Sequence, residues 1–454
     1  MDDRQARHRI DQFAVSGPAN YPMGRIDYPL PKWAQILADL GGDQPSCPSP
    51  DGDKLSQDDD SGPFESMKSI LSARARACSC RVFVVTDRND DISCCTLLRR
   101  TERNAEERLA LAYKAFLTGK VPLRFLSRIV FQRTGAPNRR LLLGPAVGED
   151  AAVVRVRGTV LVLATDPVTG AQENAGWLSV HLNANDVATR GAKPVWFLCC
   201  LLLPERSDAG ILDKIMSQVD EAAREISVTV AGGHSEITPG LHRPIIVGSM
   251  IGEVMSGRYI TTSGAKPCDK VILTKTIGLE GTAVVAHDLE EKLTRSLGEV
   301  TVRQAKAFSR RISVVKDAMI ANATGGVHAM HDPTEGGIIC GLWELAEASG
   351  AGIVVDESKI KVAPETESVC RVLGIDPFRV LSSGALLISS KPSHADLITR
   401  SLLRHGVDAC VIGEMTKLEK GRTLIKRDGT RTKIEPPVRD ELYEVLDESR
   451  ASFR

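Results

Sequence analysis

From Gly119 onward the chain alternates short apolar runs with amphipathic segments, and this alternation restricts its fold more than any other feature. TVLVLATD (159–166) reads as a strand. HLNANDVATRGAKP (181–194) reads as a helix stopped by Gly191 and Pro194. VWFLCCLLL (195–203) is the next strand. Ser207 is then expected to cap a helix whose apolar residues Ile211, Leu212, Ile215, Val219, Ala222, Ala223 and Ile226 recur with the helical period. VTVAGG (228–233) and PIIVGSMIGEV (244–254) read as strands. Turn residues Ser256-Gly257 and Ser263-Gly264 mark a boundary. Beyond it VILTK (271–275), GIVVDE (352–357), ALLISS (385–390) and VIGEM (411–415) read as strands, with a helix over 393–405. Strands interleaved with helices predict an α/β (α+β) fold.

The 454 residues allow more than one domain. Three segments are expected: 1–103 as a disordered extension, 104–256 as an N-terminal domain and 257–447 as a C-terminal one. The extension is expected because PSCPSPDGDKLSQDDDSGP (45–63) is polar, acidic and turn-rich. Within it RVFVVTD (81–87) reads as a strand without an obvious partner. A helix is expected over 105–117. Formal net charge is zero, which argues against nucleic acid as a partner, and aromatics at 4% are too sparse for a base-stacking surface. No apolar run reaches the roughly 20 residues of a membrane span, and the N-terminus lacks a secretory h-region. A cytoplasmic location is the expectation. The cysteine pairs CSC and CC lack C-x-x-C spacing, so zinc is not expected.

Three acids sit where the pattern breaks. Asp150 lies in VGEDAAVV just before a strand, Asp166 ends the next strand, and Asp186 interrupts a helix beside Asn183 and Asn185. Short polar side chains are poor helix-interior residues, so their presence there marks a candidate site. Oxygen-only donors suit Mg²⁺, which takes one or two carboxylates, water and phosphate oxygens. The bland alternative is that these acids cap turns or face solvent. Two glycine stretches add weight. AGGHSE (231–236) follows a strand, and HDPTEGG (331–337) enters the helix of IICGLWELAEASG, whose N-terminus could accept an anion. Asp332 or Thr334 could instead simply cap that helix. His234, Glu236 and His331 are the candidate catalytic groups. No P-loop and no G-x-S-x-G is present.

Taken in order, VGEDAAV, ATDPVTG, NANDVATRGAKP, AGGHSE, SGAKP and HDPTEGGIICGLWELAEASG resemble the PurM-like superfamily. It includes aminoimidazole ribonucleotide synthetase, selenophosphate synthetase, thiamine-monophosphate kinase and the hydrogenase maturation factor HypE. The likeness spans about 119–446 and points to the HypE-like, AIR synthase-related branch. It implies a two-domain fold whose N-terminal domain pairs strands with a second copy in a shared β-barrel, and a C-terminal α/β sandwich domain. It implies ATP and Mg²⁺, with Asp150, Asp166 and Asp186 at the metal. Asn185, Gly232, Gly233, Asp332, Gly336 and Gly337 would stand near the nucleotide. It also implies a homodimer, an amide, acid or carbamoyl-type acceptor, and possible maturation partner proteins. Two departures stand out. HypE carries its acceptor group on a C-terminal cysteine, whereas this sequence closes ESRASFR and its last cysteine is Cys410. The HypE reaction proper is therefore not expected. Cys268 stands where the family has glycine. The alternatives are a small-molecule kinase like thiamine-monophosphate kinase and a non-catalytic, nucleotide-binding dimeric scaffold.

Overall fold

The computed structural model describes residues 82–86, 92–97, 116, 118–169, 173–255, 257–436 and 439–451. Two compact units are distinguished, 1–114 and 115–454. In the first, β1 (Val82–Thr86) pairs antiparallel with β2 (Ile92–Leu97). The segment expected to be an unpaired strand is thus one arm of a hairpin. The polar stretch 45–63 and nearly all of the helix expected over 105–117 lie outside the described residues.

The second unit is mixed α/β and holds two sheets. The six-stranded sheet has the order β3-β4-β5-β8-β6-β7. Its strands are β3 (Leu141–Leu143), β4 (Ala152–Val156), β5 (Thr159–Val168), β6 (Lys193–Leu203), β7 (Thr229–Ile237) and β8 (Ile245–Glu253). Along β5 the side chains alternate: Val160, Val162, Ala164 and Val168 are buried, while Leu163 and Thr165 are exposed. That period of two directs one face onto helices α1 (Ala175–Thr189) and α2 (Ala209–Glu225), with Val180, Ala184, Val187, Val219 and Ala222 in the shared core. The cap of α2 is Asp208, whose side chain accepts from the Ile211 N–H. The expected cap, Ser207, instead donates to the Pro204 carbonyl. A residue's place one step along the turn decides which oxygen reaches the open N–H groups.

The seven-stranded sheet has the order β10-β12-β9-β13-β11-β14-β15. It comprises β9 (Lys270–Thr274), β10 (Val327–His331), β11 (Gly352–Asp356), β12 (Leu387–Ser390), β13 (Ala409–Thr416), β14 (Arg422–Ile425) and β15 (Arg431–Lys433). β9 is central and apolar on both sides. Val271 and Leu273 join one core cluster, and Ile272 joins another. This double burial explains why VILT reads as an unbroken apolar run rather than an alternation.

Around the sheet run α3 (Leu279–Asp288), α4 (Glu290–Leu297), α5 (Glu299–Lys306), α6 (Val315–Thr324), α7 (Gly337–Ala348), α8 (Pro364–Leu373), α9 (Pro392–Arg404) and α10 (Glu441–Ala451). Cys268 has φ 75°, the left-handed region that favours glycine, the residue the resemblance leads one to expect at this turn. Among the described residues no helix is long and apolar enough to cross a membrane.

Candidate functional site

Helix α1 has fourteen buried residues, including Ser179, His181, Asn183, Asn185, Asp186 and Thr189. A helix enclosed on every side needs a partner for each polar group it carries. Asn183 binds the end of β5: its Oδ1 accepts the Asp166 N–H at 2.8 Å, and its Nδ2 donates to the Asp166 carbonyl at 3.2 Å. Gly248 on β8 leaves room for this, since a Cβ there would stand 2.3 Å from Asn183 Nδ2. Asn185 reaches the other way. It donates to the Ile312 carbonyl at 3.0 Å and accepts the Val314 N–H at 2.8 Å. Expected near the nucleotide, it has both ends of its amide engaged with backbone, so what it supplies is position. Thr189 closes on its own helix through the Asp186 carbonyl at 2.8 Å.

Asp186 is left to face other acids. Burial first, and then Asp166, Asp332 and Asp150, raise its pKa well above the ordinary carboxylate value. Burial also lifts Asp166 to about 6, with Asp150 and Glu335 adding to the rise and Lys120 opposing it. Asp332 rises to about 6, mainly through burial and then Asp150. Asp150 goes the other way: although burial opposes it, His331, Lys120 and Arg190 bring it down to about 2. Asp186 thus lies within electrostatic reach of three other carboxylates from separate parts of the chain.

Around Asp150 the scaffold is rigid. Glu149 pairs with the fully buried Arg190 and accepts the Thr262 N–H at 3.2 Å and the Ser263 N–H at 3.1 Å. Arg190 also reaches Thr262 Oγ1 at 2.9 Å and stands 3.6 Å from Asp150. His331, at the end of β10, lies with Nδ1 3.2 Å from Asp150 and Nε2 2.9 Å from Glu344. Burial would lower its pKa, yet these two carboxylates win and raise it to about 10. An imidazolium held this way has no lone pair to offer as a base.

Lys120 is exposed. Its N–H donates to Glu335 at 2.8 Å, and its Nζ donates to Thr334 at 3.1 Å. Surrounding protein tends to lower its pKa, but Glu344, Asp150, Asp166 and Glu335 outweigh that effect and raise it. Arg439 Nε donates to the Thr118 carbonyl at 2.9 Å, and Tyr443 donates to Glu335 at 2.9 Å, so residues from the far end of the chain fix this segment.

The glycine pair ahead of α7 differs from the expected open anion site. The Gly336 N–H is taken by Asp440 at 2.7 Å, and the Gly337 N–H by the Thr334 carbonyl at 3.1 Å. Gly337 is required sterically, because a Cβ would stand 2.5 Å from the Phe378 carbonyl oxygen. Gly232 and Gly233 lie on β7, the sheet edge. Gly233 shares a transverse row with Cys199, Gly248 and Asp166. It is therefore three strand spacings from Asp166, roughly 14 Å. His234 and Glu236 follow on the same strand, exposed and paired with each other at 3.2 Å.

Sequence reasoning missed Lys120, Glu335, Glu344 and Asp440. It also passed over Glu149 and Arg190, although both stand inside motifs it singled out.

Asp332 Oδ1 is buried without a hydrogen-bond partner among the described residues, and together with the raised carboxyls it fits a hard cation. Among the described residues no three of His, Cys, Asp and Glu are close enough to hold a metal ion unaided. A cation here would complete its shell with phosphate oxygens and water, which is the habit of Mg²⁺.

Comparison with known proteins bears on this arrangement. Residues 148–254 match the AIR synthase related protein N-terminal domain, and 266–426 match the C-terminal domain of the same family. The carbamoyl dehydratase HypE of Rhizobium leguminosarum bv. viciae is 30% identical over 284 residues, covering 59% of this chain and 77% of that protein. HypE of Cupriavidus necator is 29% identical over 287 residues, covering 61% and 79%. A solved structure of hydrogenase maturation protein HypE in complex with ATP superposes with a TM-score of 0.55 at 21% identity, covering 72% and 97%. The chain belongs to the AIR synthase-related family of PurM-like proteins, in its HypE-like branch.

Proposed function

We propose that the protein is a magnesium-dependent, ATP-using enzyme that activates an oxygen of an amide or acid acceptor. The observation that carries this reading is the gathering of Asp150, Asp166 and Asp332 within electrostatic reach of the buried Asp186, with Lys120 acting on Asp150, Asp166 and Asp186 as well. Four acids repelling one another in low dielectric are costly unless cations join them. Asp150, Asp166 and Asp186 would hold Mg²⁺, and Asp332 would stand beside it. Bound magnesium supplies charge neutralisation, so that a triphosphate can enter an acidic pocket. Lys120 faces the same region and is placed to offset phosphate charge. The Glu149–Arg190 clamp and His331 keep Asp150 ionised and in place. Gly232 and Gly233 would leave the edge strand open to the nucleotide. The ATP complex of HypE and the carbamoyl dehydratase relatives support this reading.

A second copy of the chain would cover the sheet face opposite α1. Val156, Leu163, Trp196 and Leu198 are exposed large hydrophobics on that face.

Calorimetry tests the assignment. The full chain should bind ATP with magnesium and not with EDTA, and Asp186→Ala should lose binding. Asp186→Asn serves as a control against misfolding, since it keeps the side-chain volume. ATP binding that ignores magnesium and survives Asp186→Asn would remove the basis of the reading. Tight binding without turnover would leave a nucleotide-binding scaffold.

A further inference from the structure

Residues 118–120 form a bend that belongs to no helix or strand, and all three are exposed. Each is nevertheless held. The Thr118 carbonyl accepts from Arg439 Nε at 2.9 Å. Gly119, at φ 122°, sits so close to Tyr443 that a Cβ would stand 3.1 Å from the ring. Lys120 donates its N–H to Glu335 Oε2 at 2.8 Å and its Nζ to Thr334 Oγ1 at 3.1 Å. The other Glu335 oxygen accepts from the Tyr443 hydroxyl at 2.9 Å. The bond to Thr334 seats Lys120 on the loop that carries the buried Asp332. Thr334 lies two residues beyond Asp332, so their Cα atoms are no more than roughly 7 Å apart. His331, next to Asp332, stands 3.2 Å from Asp150.

Arg439 and Asp440 lead into α10, and Tyr443 lies in its first turn. This end of the helix is anchored. Leu442 and Leu446 are buried in one cluster with Val285 and Leu293. Asp440 accepts the Leu442 N–H at 2.9 Å and the Gly336 N–H at 2.7 Å. The helix therefore grips the bend and the 334–336 loop together. Such a brace adds little to stability, because ordering an exposed lysine costs side-chain entropy that exposed contacts barely return. A ligand gains from it, since an ammonium held in place beforehand loses less freedom on binding.

We propose that Tyr443 and Glu335 are positioning residues that hold the Lys120 ammonium ready for an anionic group of the nucleotide. The assignment rests on the ATP-dependent reading above and adds the last helix of the chain to that site. Tyr443 fixes Glu335, Glu335 fixes the Lys120 backbone, and Thr334 aims the ammonium. In this role both residues act through Lys120 and not by touching the ligand.

A double-mutant cycle tests this, read by calorimetry of ATP with magnesium on the full chain. Lys120→Met should weaken binding about tenfold. Tyr443→Phe removes only the hydroxyl and keeps the ring against Gly119; it should weaken binding about fivefold. Combined in one chain, the two changes should cost no more than Lys120→Met alone, because Tyr443 acts through Lys120. Additive losses, or full affinity in either single variant, would overturn the proposal. Glu335→Ala adds a check by sign. A carboxylate that merely lay near the triphosphate would repel it, so its removal would tighten binding. A positioning carboxylate weakens binding when it is lost, so tighter or unchanged binding in Glu335→Ala also overturns the proposal. Failure of the wild-type chain to bind ATP at all would instead overturn the underlying reading.

Discussion

Lys120 is held by Thr334 and Glu335, within electrostatic reach of Asp150 and Asp166. Replacing it with methionine keeps the stem and removes the charge. ATP affinity should then fall about tenfold or more, the scale of a lost charge-assisted contact. Calorimetry at fixed magnesium measures this, and an unchanged affinity would remove Lys120 from the site. Glu280 and Asp440 make a second prediction at this scale. Both are raised to about 7, Glu280 by burial and then Asp440, and Asp440 by burial and then Glu335. The folded chain keeps protons there that the unfolded chain releases near about pH 4. Stability held below that pH should therefore decline as pH rises through about 7. Urea unfolding in EDTA, without nucleotide, should show this decline, and Glu280→Gln should flatten it. Asp150, Asp166 and Asp186 stand out in the sequence because each interrupts a regular pattern. Lys120 does not, since it lies in a short coil where no period can be broken. Glu280 was hidden for the opposite reason: a glutamate early in a helix is ordinary.

Helix α1 shows how an element can depart from its propensity without losing stability. Asn183 and Asn185 satisfy backbone groups of β5 and of the 312–314 segment. Asn183→Ala or Asn185→Ala would strand a backbone N–H in the interior, at a cost of about 1–3 kcal/mol each. Urea denaturation should resolve both losses, whereas a cost confined to ATP binding would assign these residues to the ligand. The sequence marked this helix as unusual but did not separate its functions. Asn185 and Asp186 were both expected at the ligand, yet only Asp186 faces the other acids. The partners of Asn185 lie more than 120 residues further on, beyond any local pattern. Strand β7, expected to end at Gly233, continues to Ile237. His234 and Glu236 thereby fall on an exposed edge.

At the scale of the whole molecule, alternation made the mixed α/β architecture legible. Strand order was not, because pairing between distant strands leaves no periodic trace in either one. The open face carrying Leu163, Trp196 and Leu198 leads to a further prediction. Leu163→Lys with Trp196→Lys should turn a dimer into a monomer in sedimentation equilibrium, with the helical content retained. If the molecular mass does not change, that face is not the contact.

The Asn185 clamp also bears on motion. It ties a helix resting on one sheet to the segment leading into α6, which packs beside the other. Any hinge-like breathing between the two halves must break the Val314 amide bond to Asn185. That single proton becomes a gauge of opening: its hydrogen-exchange rate should slow when a ligand draws the halves together and quicken when the cleft relaxes.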